Sequence, residues 1–138
     1  MPFAKVSITK TLSLEEKDYL YDEINKQIKL IPGKEDWDSI IIIEDGCYIR
    51  MGEPDRSPKL YMEIRMMGQC PISHKAAFVA SATSMLEEKF GLNKKAIDMK
   101  IINETSWAGG GQYREIPPGV AAEVYIKDKS YFLDTSAQ

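Results

Sequence analysis

Apolar and polar positions follow the same course twice along this chain: a strand-like alternation, then a helical stripe, then a second apolar strand. From residues 3 to 8, Ala4, Val6 and Ile8 alternate with Phe3, Lys5 and Ser7, which predicts a β-strand. Ser13-Leu14-Glu15-Glu16 then has the spacing of a capping box, a serine followed three residues later by glutamate. Leu20, Ile24, Ile28 and Ile31 fall along one stripe of the helix that follows, with lysines and acids on the other side. Pro32-Gly33 stops it. After the polar connector at residues 34–38, Ser39 leads into Ile40-Ile41-Ile42-Ile43. Four consecutive isoleucines predict a strand covered on both faces, the second cover being expected from another subunit.

The second course begins after Asp45-Gly46, a turn signal. Cys47 to Met51 is expected to form a short strand and Gly52 to Lys59 a loop. In the strand expected from Lys59 to Met67, Leu60, Met62, Ile64 and Met66 face one way, with Tyr61, Glu63, Arg65 and Met67 on the other. Ser73 is expected to cap a second helix with Phe78, Ala82, Met85, Leu86 and Phe90 on its apolar stripe, and Gly91 fits the position just past its end. Ile97 to Ile102 reads as a further strand. Ser106 to Gly111 reads as a flexible segment around Trp107.

The pattern predicts an α+β fold: two β-α-β units forming a four-stranded mixed sheet with both helices on one face. The bare face of such a sheet is expected to be apolar and to be buried by closed cyclic assembly. The main domain is expected over residues 1–113. Residues 114–138 extend it with an alternating Val124-Tyr125-Ile126 and a final Tyr131-Phe132-Leu133, as an extra strand or a wrap over a neighbour.

With 138 residues the chain fits one domain with a sizeable core. A net charge of −3 argues against nucleic acid or an anionic membrane as partner. No apolar run reaches spanning length. The first residues lack a signal-peptide pattern, so a cytoplasmic location is expected. Cys47 and Cys70 are widely spaced and expected to be reduced thiols. With His74 as the one histidine, no metal site and no cofactor are expected.

Candidate chemistry lies at the start. Removal of Met1 leaves Pro2 with a free secondary amine, a group that titrates near neutrality and is lowered further by burial. Such a group suits general acid–base work. The plain alternative is a proline opening a strand. Lys34, just past a helix end, has the alternative of complementing the helix dipole. Trp37 is either a core plug or a residue at a pocket mouth.

In register, several of these features resemble the tautomerase superfamily, in its macrophage migration inhibitory factor-like branch. They are Pro2 opening the first strand, Pro32-Gly33-Lys34 ending the first helix, the Ile40–Ile43 strand, the Met51-Gly52 turn, Ile64-Arg65-Met66-Met67-Gly68 closing a strand, and Trp107 after the last main strand. The similarity covers residues 2–113. It implies a homotrimer with a site at each subunit interface, Pro2 as the base, Lys34 as its cationic partner, and Met67 lending a backbone N–H to substrate. Trp107 matches the family's aromatic residue. Tyr113 is a second candidate wall, and Arg65 is either a second anion anchor or a salt-bridge partner.

The implied activity is keto–enol tautomerisation of small 2-oxo acids of the phenylpyruvate type, an isomerase reaction. Two alternatives stay open. One is a proline-dependent hydratase, dehalogenase or decarboxylase; the other is a non-enzymatic trimeric binding or signalling protein of the same fold. Two departures bear on them. The family cytokine's CxxC falls on Lys59-Leu60-Tyr61-Met62, against thiol-redox activity, and Asp98 and Lys100 stand where the cytokine has tyrosine and asparagine.

Overall fold

The computed structural model describes residues 2–119. In chain order the elements are β1 (Phe3–Ile8), α1 (Leu14–Lys29), β2 (Ile40–Glu44), β3 (Leu60–Met67), α2 (Ile72–Phe90), β4 (Ile97–Glu104), β5 (Ser106–Gly109) and β6 (Gln112–Glu115). A single 3-10 turn, Lys94–Ala96, leads into β4.

Four strands form a mixed sheet in the order β2-β1-β3-β4. The β1–β2 and β3–β4 pairs are parallel and β1–β3 is antiparallel. This is the expected pair of β-α-β units. Both helices cover one face. Ala4, Val6, Ile8, Leu60, Met62 and Ile64 from the sheet close on Leu20, Ile24 and Ile28 of α1 and on Phe78, Ala82, Leu86 and Phe90 of α2. The period-two burial of β3 and the stripe of α1 thus meet in one core, and burial of apolar area is its driving force.

The helix ends follow local chemistry. Ser13 caps α1 through a full capping box: its side chain accepts from Glu16 N–H at 3.1 Å and its own N–H donates to Glu16 Oε1 at 3.0 Å. The capping expected of Ser73 is not found. Pro71 precedes the first turn of α2 without a side-chain cap, and Ser73 lies within that turn. Proline needs no N–H partner there and its φ of −55° leads into the helix. Gly91 ends α2 at φ 67°, the left-handed conformation that glycine adopts without cost.

Two expectations are corrected. Cys47 to Met51 forms no strand: β2 is the edge of the sheet, and residues 47–51 meet no further strand among the described residues. Ser106 to Gly111 is not a loose segment but part of a hairpin, β5 paired antiparallel with β6. Gly110 and Gly111, at φ 58° and 78°, supply the two positive-φ residues of its tight turn. Within one protomer the isoleucine strand is covered on one side, which leaves its second side for the neighbouring subunit expected to cover it. Ile41 and Ile43 pack on the core, while Ile40 and Ile42 are 46% and 44% exposed.

The open face of the sheet is also less apolar than expected. Across it, Lys5 stands beside Glu63, which stands beside Lys100; one row further, Phe3, Arg65 and Ile102 align. Charged and apolar side chains are mixed within each row, Ile42 standing beside Lys5 and Arg65 between Phe3 and Ile102, and Lys5 pairs with Glu44 at 3.4 Å. Segment β6 spans residues on both sides of the boundary expected at residue 113. Val124–Ile126 and Tyr131–Leu133 lie outside the described residues.

Candidate active site

The strand directions bring one set of residues to one end of the sheet. Pro2 stands just before β1, its ring fully buried, and its carbonyl oxygen accepts the N–H of Ile40, the first residue of β2, at 2.9 Å. Because β3 runs antiparallel to β1, the β3 terminus at Met67 lies at this same end. The parallel partner β4 brings Glu104 there too, opposite Met67.

Lys34 joins the group from the connector after α1. The turn Ile31-Pro32-Gly33-Lys34 is closed by Lys34 N–H donating to Ile31 O at 3.0 Å, with Gly33 at φ 86°. The Lys34 side chain is 7% exposed, and Nζ donates to the carbonyl oxygen of Met67 at 2.7 Å. Burial pulls its ammonium below the ordinary lysine range, opposed by Coulombic attraction to Cys70 and Glu35 in their ionised forms. An ammonium has three N–H groups. Among the described residues one of them is engaged, which leaves two donors in a buried cation.

Met67 presents its backbone on two sides. Gly68 N–H donates to Glu104 O at 3.0 Å, toward β4. Successive N–H groups of a strand point to opposite sides, so that of Met67 turns toward β1. The β1–β3 ladder begins only at the Phe3–Arg65 pair, so this N–H lies beyond it, at the Pro2 end. The Met67 side chain is buried with Ile116, and Trp107 packs against both.

A cavity of about 330 Å³ opens beside Ile40, walled by Trp37, Trp107 and the turn of the β5–β6 hairpin, with Gln112 and Arg114 on its rim. The hairpin register explains the choice of side chains. Trp107 stands opposite Arg114, and Gln112 is two residues from Arg114, so all three share one face. The Arg114 guanidinium lies 5.0 Å from the centre of the Trp37 ring.

Two candidates are not brought in. Tyr113 belongs to the other face of the hairpin and does not line the cavity; its hydroxyl donates to Glu115 Oε1 at 3.2 Å. Arg65 is clasped by Glu104 and Glu63, each at 2.5 Å, so the salt-bridge alternative describes it and the anion-anchor expectation does not. Conversely, Trp37 stands at the cavity rather than in the core. Gln112 and Arg114 are not legible from the sequence, because their alternation with Trp107 acquires meaning only within the hairpin. Burial pushes the Cys70 thiol up, against the pull of Lys75 and Lys34. Among the described residues no group of three or more His, Cys, Asp or Glu is placed to hold a metal, and no helix is long and apolar enough to cross a membrane.

No protein-family model matches the chain, and no curated protein does. Solved structures do. MIF2 of Leishmania major superposes with a TM-score of 0.76 at 14% identity, over 82% of this chain and 97% of that one. Macrophage migration inhibitory factor from Oncomelania hupensis gives 0.66 at 19% identity, over 80% of each chain. Pt0534, solved after inactivation by 2-oxo-3-pentynoate, gives 0.65 at 16% identity, over 88% of this chain and 98% of that one. The architecture described above is therefore the fold of macrophage migration inhibitory factor homologues and of the tautomerase superfamily.

Proposed function

We propose that this protein is a keto–enol tautomerase of small 2-oxo acids of the phenylpyruvate type, working through the amine of Pro2 once Met1 has been removed. The observation that carries the reading is the buried Pro2 ring at the end of the sheet that also gathers a buried ammonium, Lys34, and an aromatic-walled cavity. The fold shared with tautomerases supports it.

In this mechanism the neutral amine takes a proton from the carbon next to the substrate carbonyl; the electron pair of the broken C–H bond forms a C=C bond, and the carbonyl π pair moves onto the oxygen. The amine then returns its proton to that oxygen, which gives the enol. The enolate is the costly species. The two remaining N–H groups of Lys34 and the backbone N–H of Met67 stabilise it or hold the substrate carboxylate. The same nearby cation keeps the Pro2 amine in its neutral, basic form near pH 7. Trp37 and Trp107 exclude water and pack on the planar substrate.

The protein acts as a homotrimer in the cytoplasm, with the open face of the sheet turned to its neighbours. The mixed charged and apolar side chains on that face give the assembly its register. Intact mass first checks that Met1 is gone. Phenylpyruvate enolisation is then expected to fall at least about 100-fold in Pro2→Ala, the range for loss of a general base. Equal rates in the two proteins end the enzymatic reading and leave a binding protein of this fold. Sedimentation of a monomer in dilute solution removes the trimer.

A further inference from the structure

A second cavity, of about 560 Å³, lies at the other end of the sheet, between Thr9 after β1, Lys59 before β3 and the loop that joins β2 to β3. The six residues of β1 separate it from Pro2, about 20 Å at strand spacing. It is a distinct site, and the proposed tautomerase reaction makes no use of it.

The loop is held stiffly. Lys59 is buried, and its Nζ donates to Asp55 Oδ1 at 2.7 Å, to Ser57 O at 2.9 Å and to Asp55 O at 3.2 Å. Ser57 N–H donates to the same Asp55 oxygen at 2.9 Å. The one carboxylate on the cavity wall is thereby neutralised from within its own loop.

Two further cations on that wall are not neutralised. Among the described residues no carboxylate lies within ion-pair distance of Arg50 or Arg56. Arg50 Nε donates to Gly52 O at 2.8 Å, which orients the guanidinium and leaves its two terminal amino groups for an acceptor. Three cations, Arg50, Arg56 and Lys59, against Asp55 leave two positive charges around one hollow, in a chain whose net charge is −3. The Thr9 hydroxyl accepts Lys59 N–H at 2.9 Å and keeps its own proton to donate.

We infer that this cavity binds the phosphoryl group of a small phosphorylated molecule, held by the guanidinium groups of Arg50 and Arg56 and by the Thr9 hydroxyl. A dianion matches the two uncompensated charges, and paired arginine forks suit its oxygens. The volume exceeds what a bare phosphate fills. Tyr48, 89% exposed at the cavity wall, offers a flat surface to the organic remainder.

The test titrates the whole chain with inorganic phosphate and with phenyl phosphate, each against sodium chloride at equal ionic strength, while backbone amide resonances are followed by NMR. Saturable shifts are expected at Thr9 and residues 47–59, apart from those of Trp37 and Trp107. Tighter binding of phenyl phosphate assigns the site to a phosphate ester, and equal binding assigns it to free phosphate; either supports the anion site. The double variant Arg50→Gln/Arg56→Gln is expected to weaken binding at least about tenfold. Arg56→Gln alone removes no intramolecular hydrogen bond among the described residues, so it reports on binding even where the double variant is perturbed, with an expected loss of about threefold or more. No saturable shift beyond the chloride control, shifts confined to the Pro2 end, or unchanged affinity in both variants overturns the inference. Enolisation by the Arg56→Gln protein, measured alongside, separates failure here from failure of the tautomerase reading.

Discussion

Lys34 Nζ donates to the carbonyl oxygen of Met67 at 2.7 Å, joining the connector after α1 to the end of β3 across 33 residues of sequence. This bond holds a cation at the end of the sheet where Pro2 stands, and the strand that carries Met67 leaves its N–H toward the same end. Two positions expected to serve one site thus also hold each other.

The first prediction separates the two roles of Lys34. Lys34→Met keeps the length and packing of the side chain but removes the charge. Stability at pH 7 is expected within about 2 kcal/mol of wild type in urea unfolding, because burying an ammonium is itself costly. Enolisation is expected to fall at least about tenfold, the effect of losing a charge that stabilises the enolate. The pH dependence has a definite sign. The folded-state pKa lies below that of the unfolded chain, so in the window between them the unfolded chain binds more protons. Wild type therefore gains stability over Lys34→Met as the pH rises into the alkaline range. A flat difference between the two proteins from neutral to alkaline pH contradicts the burial of a charged Lys34.

A second prediction concerns the aromatic walls. Trp37 and Trp107 line the cavity from two different segments, the connector and the hairpin. Replacing either with alanine is expected to raise KM for phenylpyruvate several-fold, roughly the effect of losing 1 kcal/mol or more of aromatic contact, with the smaller change in kcat. A small aliphatic 2-oxo acid is expected to be affected less. Equal losses on both substrates point to a structural role for the tryptophans.

The third prediction uses the clamp at the opposite pole. The Lys59 ammonium and the Ser57 donors hold the Asp55 carboxyl at about 2, below its ordinary 3.8. A depressed carboxylate pKa contributes stability above the unfolded value and loses it as pH falls through the folded one. Asp55→Asn is therefore expected to melt at a lower temperature than wild type at neutral pH. The gap closes as the pH falls from about 4 toward 2. A gap that persists unchanged in acid assigns the effect to packing instead of charge.

Much of the fold was legible because its elements rest on local chemistry. Ser13 with Glu16 marks a helix start, the Leu20–Ile24–Ile28 stripe marks its buried side, and Gly91 marks the end of α2. The misreadings share a cause, in that each depended on a partner distant in sequence. Whether residues 47–51 form a strand depends on an adjacent strand, and at the edge of this sheet none is described. Gly109 to Gly111 suggests freedom until β6 is seen returning along β5. Of the residues gathered at the candidate site, Pro2, Lys34, Met67 and Trp107 are suggested by the resemblance. Arg65 could not be assigned from sequence, because Glu104, 39 residues away, decides it. Gln112 and Arg114 needed the hairpin register, which no periodicity in so short a segment reveals.

The hydrogen bond from Ile40 N–H to the carbonyl of Pro2 anchors the leading end of the chain through the far side of the proline, not through its nitrogen. An affinity handle fused ahead of Met1 would accordingly leave the sheet assembled and the melting curve ordinary while converting that nitrogen into an amide. Recombinant material meant for assay should therefore carry its purification sequence after Gln138, and a sample prepared the other way would fold well and still appear inert.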